Sequence, residues 1–314
     1  MRNKLLLLAN GLLALGLLWL FLSGIDVAAA EATFASVDFA FVLAAVACYL
    51  FLCLLNAYRL KILLCRVAKA ARCASLNRMF WVHVHGMLLS DYTPGRVGYA
   101  FVALKTREFG VKARLGARVF GVALAADFLS RGVFFVVSLA FLLSSGMADA
   151  VQLYAVAAFL LAASFAVMWA LVRHRKIVET AIYAVPALGV RLAAAYAQIF
   201  SKAIPRRLLL EAVAISFAGA LVRGLEWLLL ARGLGLAPVS LETLAFFTVF
   251  NSVVTVLSFV PLSVAGLGLQ EGAGAFAFSM WSGVGLAETS AFMLLVRIIE
   301  AGTDLVGLKE VVRT

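Results

Sequence analysis

Long apolar runs, repeated along the whole chain and separated only by short charged segments, constrain this sequence more than any other feature. Hydrophobic residues make up 65% of it and charged residues 14%, and the mean hydropathy is +1.05. A soluble domain is about half apolar and a quarter charged. A run of about 20 apolar residues fits a membrane-crossing helix, which satisfies every backbone polar group within itself. Strands of a membrane barrel would alternate over about 10 residues, and these runs do not. The predicted fold class is therefore all-α: a polytopic integral membrane helical bundle. A chain of 314 residues has room for about six to eight helical segments. It is read as one membrane domain over 1–314, with no separate soluble catalytic domain.

The formal net charge is +11. The Lys and Arg residues lie between apolar runs, which excludes nucleic-acid binding and points to the positive-inside rule and to anionic headgroups. On that rule residues 5–25 form an uncleaved first span. The loop carrying Asp26, Glu31 and Asp38 lies outside, and span 39–64 returns to Lys61, Arg66, Lys69 and Arg72. Residues 115–145 cross outward and 150–172 cross back. Residues 177–205 form an amphipathic helix on the cytoplasmic face, and 208–230 cross outward. Residues 287–308 finish near Lys309 and Arg313. The expected setting is the cell inner membrane, with both termini cytoplasmic. Cys48, Cys53, Cys65 and Cys73 match no metal or redox spacing and are expected as thiols.

Two Pro/Gly-interrupted stretches break this pattern, one in each half of the chain. The first is Ser90-Asp91-Tyr92-Thr93-Pro94-Gly95-Arg96-Val97-Gly98. The second runs from Pro261 through Gly266-Leu267-Gly268-Leu269-Gln270-Glu271-Gly272. Paired broken segments in two halves of a membrane protein point to a binding site near the midplane. Residues 76–108 are expected as a hairpin entering from inside, and 242–282 as one entering from outside. That layout makes an inverted repeat of a first half, 1–172, and a second half, 206–314. Helices starting after such breaks present free N–H groups and a positive dipole end, an anion site, with Arg96 and Arg107 adding charge. Glu271 stands in the first turn of its helix, where it caps the helix or acts directly. For each motif alone the alternative is a packing bend, and two matching breaks weigh against it.

Charges inside the apolar segments cost about 2.5–3.5 kcal/mol each at the bilayer centre, so they need partners or a role. Asp127 and Arg131 stand four apart, Arg223 and Glu226 three apart, and Arg297, Glu300 and Asp304 share a helix face. Either each group neutralises itself and holds the bundle together, or its arginines line a polar cavity and meet a phosphate, which the planar guanidinium suits. Arg297 with its two acids also fits a proton- or ion-coupled relay. His83 and His85 face different sides of a helix, so no metal pair is expected. No nucleophile elbow or phosphate-binding loop is present, so neither catalysis nor a cofactor is expected.

Asn56-Ala57-Tyr58-Arg59 with Leu63-Leu64, then Pro94-Gly95-Arg96-Val97-Gly98, then Gly266-Leu267-Gly268 with Glu271, then Arg297 and Gly307 together resemble the lysylphosphatidylglycerol synthase transmembrane region family. The resemblance covers essentially the whole chain and departs at Tyr99 and at Ala126-Asp127. It implies a stand-alone, flippase-like membrane domain, without the aminoacyl-transfer domain, that moves or handles lipids. The implied partners are membrane lipids, anionic or phosphate-bearing, with a homodimer partner or a lipid-biosynthesis enzyme as further possibilities. The candidate substrate-binding set is Arg59, Asp91, Pro94, Arg96, Gly98, Arg107, Asp127, Arg131, Arg223, Glu226, Gly266, Gly268, Gln270, Glu271, Arg297, Glu300 and Asp304. The expected function is movement of a phospholipid or other phosphate-bearing lipid across the inner membrane. The alternative is an accessory role, without transport, in lipid, hopanoid or lipid-linked glycan synthesis.

Overall fold

A computed structural model describes residues 26–68, 75–91, 101–144, 205–257 and 268–308, together with Gly16, Trp19 and Ser23. Pro94, Arg96, Gly98 and Gly266 lie outside the described residues. So do the expected return span 150–172, all but the last residue of the amphipathic segment 177–205, and nearly all of the first span.

Every element among the described residues is helical. Helix α1 is Val27–Ala35, in the stretch read from the sequence as an external loop. Asp26 starts it, its Oδ1 accepting from the N–H groups of Ala28 and Ala29 at 3.0 and 3.2 Å, which satisfies two donors that a helix start leaves free. Then come α2 (Phe39–Ala68), α3 (Leu76–Asp91), α4 (Phe101–Lys105) with a 3-10 turn at Thr106–Phe109, and α5 (Ala113–Ser144). The second part holds α6 (Arg206–Gly233), α7 (Leu241–Leu257), α8 (Leu269–Ser282) and α9 (Leu286–Asp304), which ends in a 3-10 turn at Leu305–Gly307. At about 1.5 Å per residue, 20 residues cross the hydrocarbon core. Phe39–Arg66 and Arg206–Gly233, 28 residues each, are long and apolar enough to do so. Helices α3, α7 and α8, with 16, 17 and 14 residues, are shorter.

Helices α2 and α6 pack along each other, and their side chains divide the interior into three layers. One apolar cluster joins Ala45 of α2, Trp227 to Ala231 of α6, Phe247 and Phe250 of α7, Phe278 of α8, and Phe292 and Met293 of α9. Trp227 sits edge-on to Phe250 and Phe292, at 5.5 and 5.7 Å between centroids. Such aromatic pairs add about 0.5–1.5 kcal/mol to plain burial. The second cluster joins Ala57 to Leu64 of α2, Met79 and Val82 of α3, Val119 to Ala126 of α5, and Leu208 and Ala212 of α6. Helix α2 thus runs from the first cluster to the second and α6 runs back. Midway along both lie Tyr49, Cys53 and Asn56 on α2, and Ser216 and Arg223 on α6. The polar layer is therefore at mid-length of the two helices that are long enough to span.

Two glycines allow close approaches around this layer. A Cβ on Gly224 would stand 2.7 Å from the Thr248 Cα, so α6 and α7 touch through the bare backbone, as small residues permit between membrane helices. A Cβ on Gly307 would stand 3.1 Å from the backbone of His85, and the His85 Nδ1 meets the Gly307 carbonyl at 3.3 Å. The turn after α9 is thereby pressed onto α3. Helix α9 also packs on α1, α2, α6 and α8.

The expectation of four thiols holds for Cys48 and Cys53 and fails at Cys65, which is disulfide-bonded. Sequence spacing carries no information on which sulfurs the fold brings within bonding reach.

Candidate functional site

The polar layer has two connected parts. The first is a cavity of about 90 Å³ walled by α2, α3, α5, α6 and α7; its polar lining includes Asn56, His83, Asp127, Arg131, Ser216 and Arg223. That is room for a few waters and well below the roughly 300–1,000 Å³ of pockets that enclose a small-molecule ligand. In its wall the fully buried Arg59 grips Asp127 with both terminal nitrogens, Nη2 meeting Oδ2 at 2.8 Å, and Nη1 also bonds the Ser216 hydroxyl. This two-pronged arrangement is the strong form of the interaction. It corrects the pairing expected from sequence: Asp127, four residues before Arg131, is held instead by an arginine from another helix. Arg131 donates to the Asn251 Oδ1 of α7 at 3.3 Å. Helical spacing permits an i,i+4 pair, but the packing of α5 against α2 decides which cation arrives.

The second part adjoins the first through Arg223. Its Nη1 meets the Glu226 Oε2 and its Nη2 the Glu300 Oε2, each at 2.9 Å. The expected i,i+3 pair is therefore present, but shared with an acid from α9. The guanidinium also lies 5.0 Å from the Tyr49 ring centroid, within cation–π range. The Tyr49 hydroxyl donates to Asp304, 2.9 Å from both carboxyl oxygens. Arg297 stands between the two broken stretches: its Nη1 is 3.8 Å from the Asp91 Oδ1 at the end of α3, and its Nε is 3.6 Å from the Glu271 Oε1 at the start of α8. The two stretches singled out in the sequence are thus joined by one side chain.

Of the two roles weighed for Glu271, the helix cap is present. Its other oxygen, Oε2, accepts from the Gly268 N–H at 2.7 Å, which closes the helix start. Gly268 itself has φ of +81°, a region that side chains oppose. Gly268→Ala is expected to cost about 1–2 kcal/mol. The loss would be read as a lower unfolding temperature in detergent, whereas an unchanged temperature would rule out this turn geometry.

Of the remaining sequence candidates, Gln270 is buried and next to Glu271. Arg107 is exposed in the 3-10 turn, away from the polar layer. Pro94, Arg96, Gly98 and Gly266 are outside the described residues. Tyr49, Asn56, Ser216 and Asn251 were missed. Each is an uncharged polar residue in an otherwise apolar run, and that was the available signal: Asn56 and Asn251 carry amides that must find partners in hydrocarbon. Among the described residues no group of His, Cys, Asp and Glu is placed to hold a metal.

Membrane-length apolar helices around a buried charged layer define a helical integral membrane protein. Residues 7–306 match the lysylphosphatidylglycerol synthase TM region, and the chain belongs to that family. No curated protein and no solved structure matches it.

Proposed function

We propose that this chain moves a phospholipid or other phosphate-bearing lipid across the inner membrane, with the headgroup passing through the charged layer and the acyl chains remaining in the bilayer. The observation that carries the reading is an arginine-lined cavity of about 90 Å³ at mid-length of the two helices long enough to span. A phosphate entering it meets the Arg131 guanidinium, a planar fork of donors suited to phosphate oxygens. At about 90 Å³ the cavity represents a closed form. Passage needs α3 and α8 to move apart at Arg297, the side chain that links them. Family membership supports lipid handling of this flippase-like kind.

The distribution of exposed charge supports the orientation proposed from the sequence. Exposed Arg66, Arg78, Arg107, Lys112, Arg206 and Arg207 gather at the end next to the second apolar cluster. Exposed Asp26, Asp38 and Glu242 lie near the other end. At the basic end Lys105 bonds Glu108 at 2.6 Å, joined by Arg78 at 3.4 Å. The Lys105 hydrogen bond, with Arg78 adding to it, holds the Glu108 carboxyl below its ordinary range. This end suits an anionic cytoplasmic leaflet.

The test is lipid exchange in proteoliposomes containing fluorescent phosphatidylglycerol or its lysyl ester, followed as probe accessible to dithionite. Arg131→Ala is expected to slow exchange about 10–100-fold, the value of one charge-assisted hydrogen-bond set at about 1.5–3 kcal/mol. Arg131→Lys should fall between Ala and wild type, because an ammonium lacks the fork. Absence of exchange with every lipid tested, with or without a proton gradient, would instead favour the accessory role.

A further inference from the structure

One polar side chain of the cavity wall is left to whatever fills the cavity. Asn56 stands near the middle of α2, a helix long enough to span. Leu50, Leu54 and Tyr58 are exposed along one side of α2, whereas Tyr49, Cys53 and Asn56 line the cavity. Residues three and four apart share a helix face, so Asn56 points into the bundle and away from the exposed side. Its amide makes no hydrogen bond to any described residue. An amide held away from bulk water without a partner is costly, so the contents of the cavity must supply one.

The neighbouring groups in the same wall are already engaged. Both Asp127 oxygens accept from Arg59, and the Ser216 hydroxyl accepts from the same guanidinium. Ser130 donates to the Asp127 carbonyl at 2.9 Å. Arg223 is held by Glu226 and Glu300. Arg131 donates to the oxygen of the buried Asn251 at 3.3 Å, which fixes its guanidinium from α7 while it still lines the cavity.

The chemistry of the two groups divides what a headgroup can offer them. A guanidinium has donors only and suits phosphate oxygens. An amide has two donors and an acceptor, and a hydroxyl, which both accepts and donates, answers both of its functions. A phosphodiester has no proton to give back to the amide oxygen. An ammonium accepts nothing, and it would share about 90 Å³ with the Arg131 and Arg223 guanidiniums.

We propose that Asn56 is a specificity-determining residue of the cavity, its amide hydrogen-bonding a hydroxyl carried next to the headgroup phosphate while Arg131 takes the phosphate itself. The favoured class is a polyol phosphodiester, over one ending in an amine or a plain alkyl group. The assignment rests on the reading that a phosphate-bearing lipid enters this cavity, and it adds which part of the headgroup the protein distinguishes. A site built to hydrogen-bond a hydroxyl rejects the analogue that lacks it, because the amide is then left unpaired.

The test is lipid retention by the full chain purified in detergent, read by native mass spectrometry. Phosphatidylglycerol is compared with phosphatidylmethanol, which has the same charge and no hydroxyl, and with phosphatidylethanolamine, which ends in an ammonium. The wild type is expected to retain phosphatidylglycerol about 3–10-fold over either, the value of one hydrogen bond. Asn56→Leu, similar in size and compatible with an apolar run, should lower phosphatidylglycerol to the phosphatidylmethanol level and leave phosphatidylmethanol unchanged. A merely structural role for Asn56 would move all three lipids together, and that result overturns the proposal. Equal retention of the three by the wild type means that the amide meets only water; it overturns the proposal without any variant having to fold. A preference that survives Asn56→Leu overturns it too. Excess free glycerol 3-phosphate distinguishes the sources of the hydroxyl: a preference that persists assigns it to the lipid, one that disappears assigns it to a soluble phosphate, and both keep Asn56 in its role. Retention is read without movement across a bilayer, so failure here and failure of the transport assay are separate results.

Discussion

Arg223→Met is expected to be the most damaging single change in the molecule. It removes the guanidinium that holds Glu226 and Glu300 at 2.9 Å each and leaves two nearly inaccessible acids facing each other. Breaking a buried ion pair from one side costs about 3–5 kcal/mol, and here two partners are orphaned at once. Marginal stabilities of about 5–15 kcal/mol make that loss a large share of the total. It would appear as a steep fall in unfolding temperature and in yield of monodisperse protein. Adding Glu226→Gln and Glu300→Gln should restore most of the loss, because amides remove the stranded charges while keeping the shape. If Arg223→Met unfolds like wild type, Arg223 does not neutralise those acids.

Asp127→Ala is the second large effect, and it acts through its partner. The Asp127 carboxylate borders the cavity and keeps some access to water, whereas Arg59 is almost completely enclosed, at 1% exposure. Removing the acid therefore strands the cation. The expected loss is about 3–5 kcal/mol, measured by thermal unfolding in detergent. The double change Arg59→Met with Asp127→Leu should recover most of it, as apolar replacements of buried ion pairs do. A single variant as stable as wild type would show that Arg59 has enough other donor contacts, Ser216 included. The comparison of single and double variants separates the role of the pair in folding from any role in lipid movement, which the Arg131 variants address.

The helices were legible in the sequence where the apolar runs were long. The span expected at 39–64 is α2, Phe39–Ala68, and the span expected at 208–230 is α6, Arg206–Gly233. Hydrocarbon compatibility is a property of the run itself and needs no knowledge of neighbours. The short helices were legible too, because Asp91 and Gly268 mark where apolar sequence stops and resumes. What was not legible was α1 within a short acidic segment, where a single cap from Asp26 and packing on α9 favour helix over loop.

The charged residues divide in the same way. That Arg59, Asp127, Arg223, Glu226, Arg297, Glu300 and Asp304 need partners followed from their position in apolar sequence. Only Arg223–Glu226 found its partner on its own helix, and even that pair admits Glu300 from α9. Asp127 turned to Arg59, Asp304 to Tyr49, and Arg297 to Asp91 and Glu271, each across helices. Tyr49 gave no sign beforehand, because a tyrosine in an apolar run is ordinary until an acid from a distant helix arrives at its hydroxyl.

The amino-acid sequence by itself determined that this chain is helical, where its long helices begin and end, and that its interior would carry charge at two broken places. Those outcomes depend on transfer of single segments into hydrocarbon, a local quantity summed along the run. Only the tertiary structure decided that both breaks meet at Arg297. Ion pairing depends on which helix faces come together, and that is helped by close contacts such as Gly224 on Thr248 and Gly307 on His85, which join residues far apart in the chain.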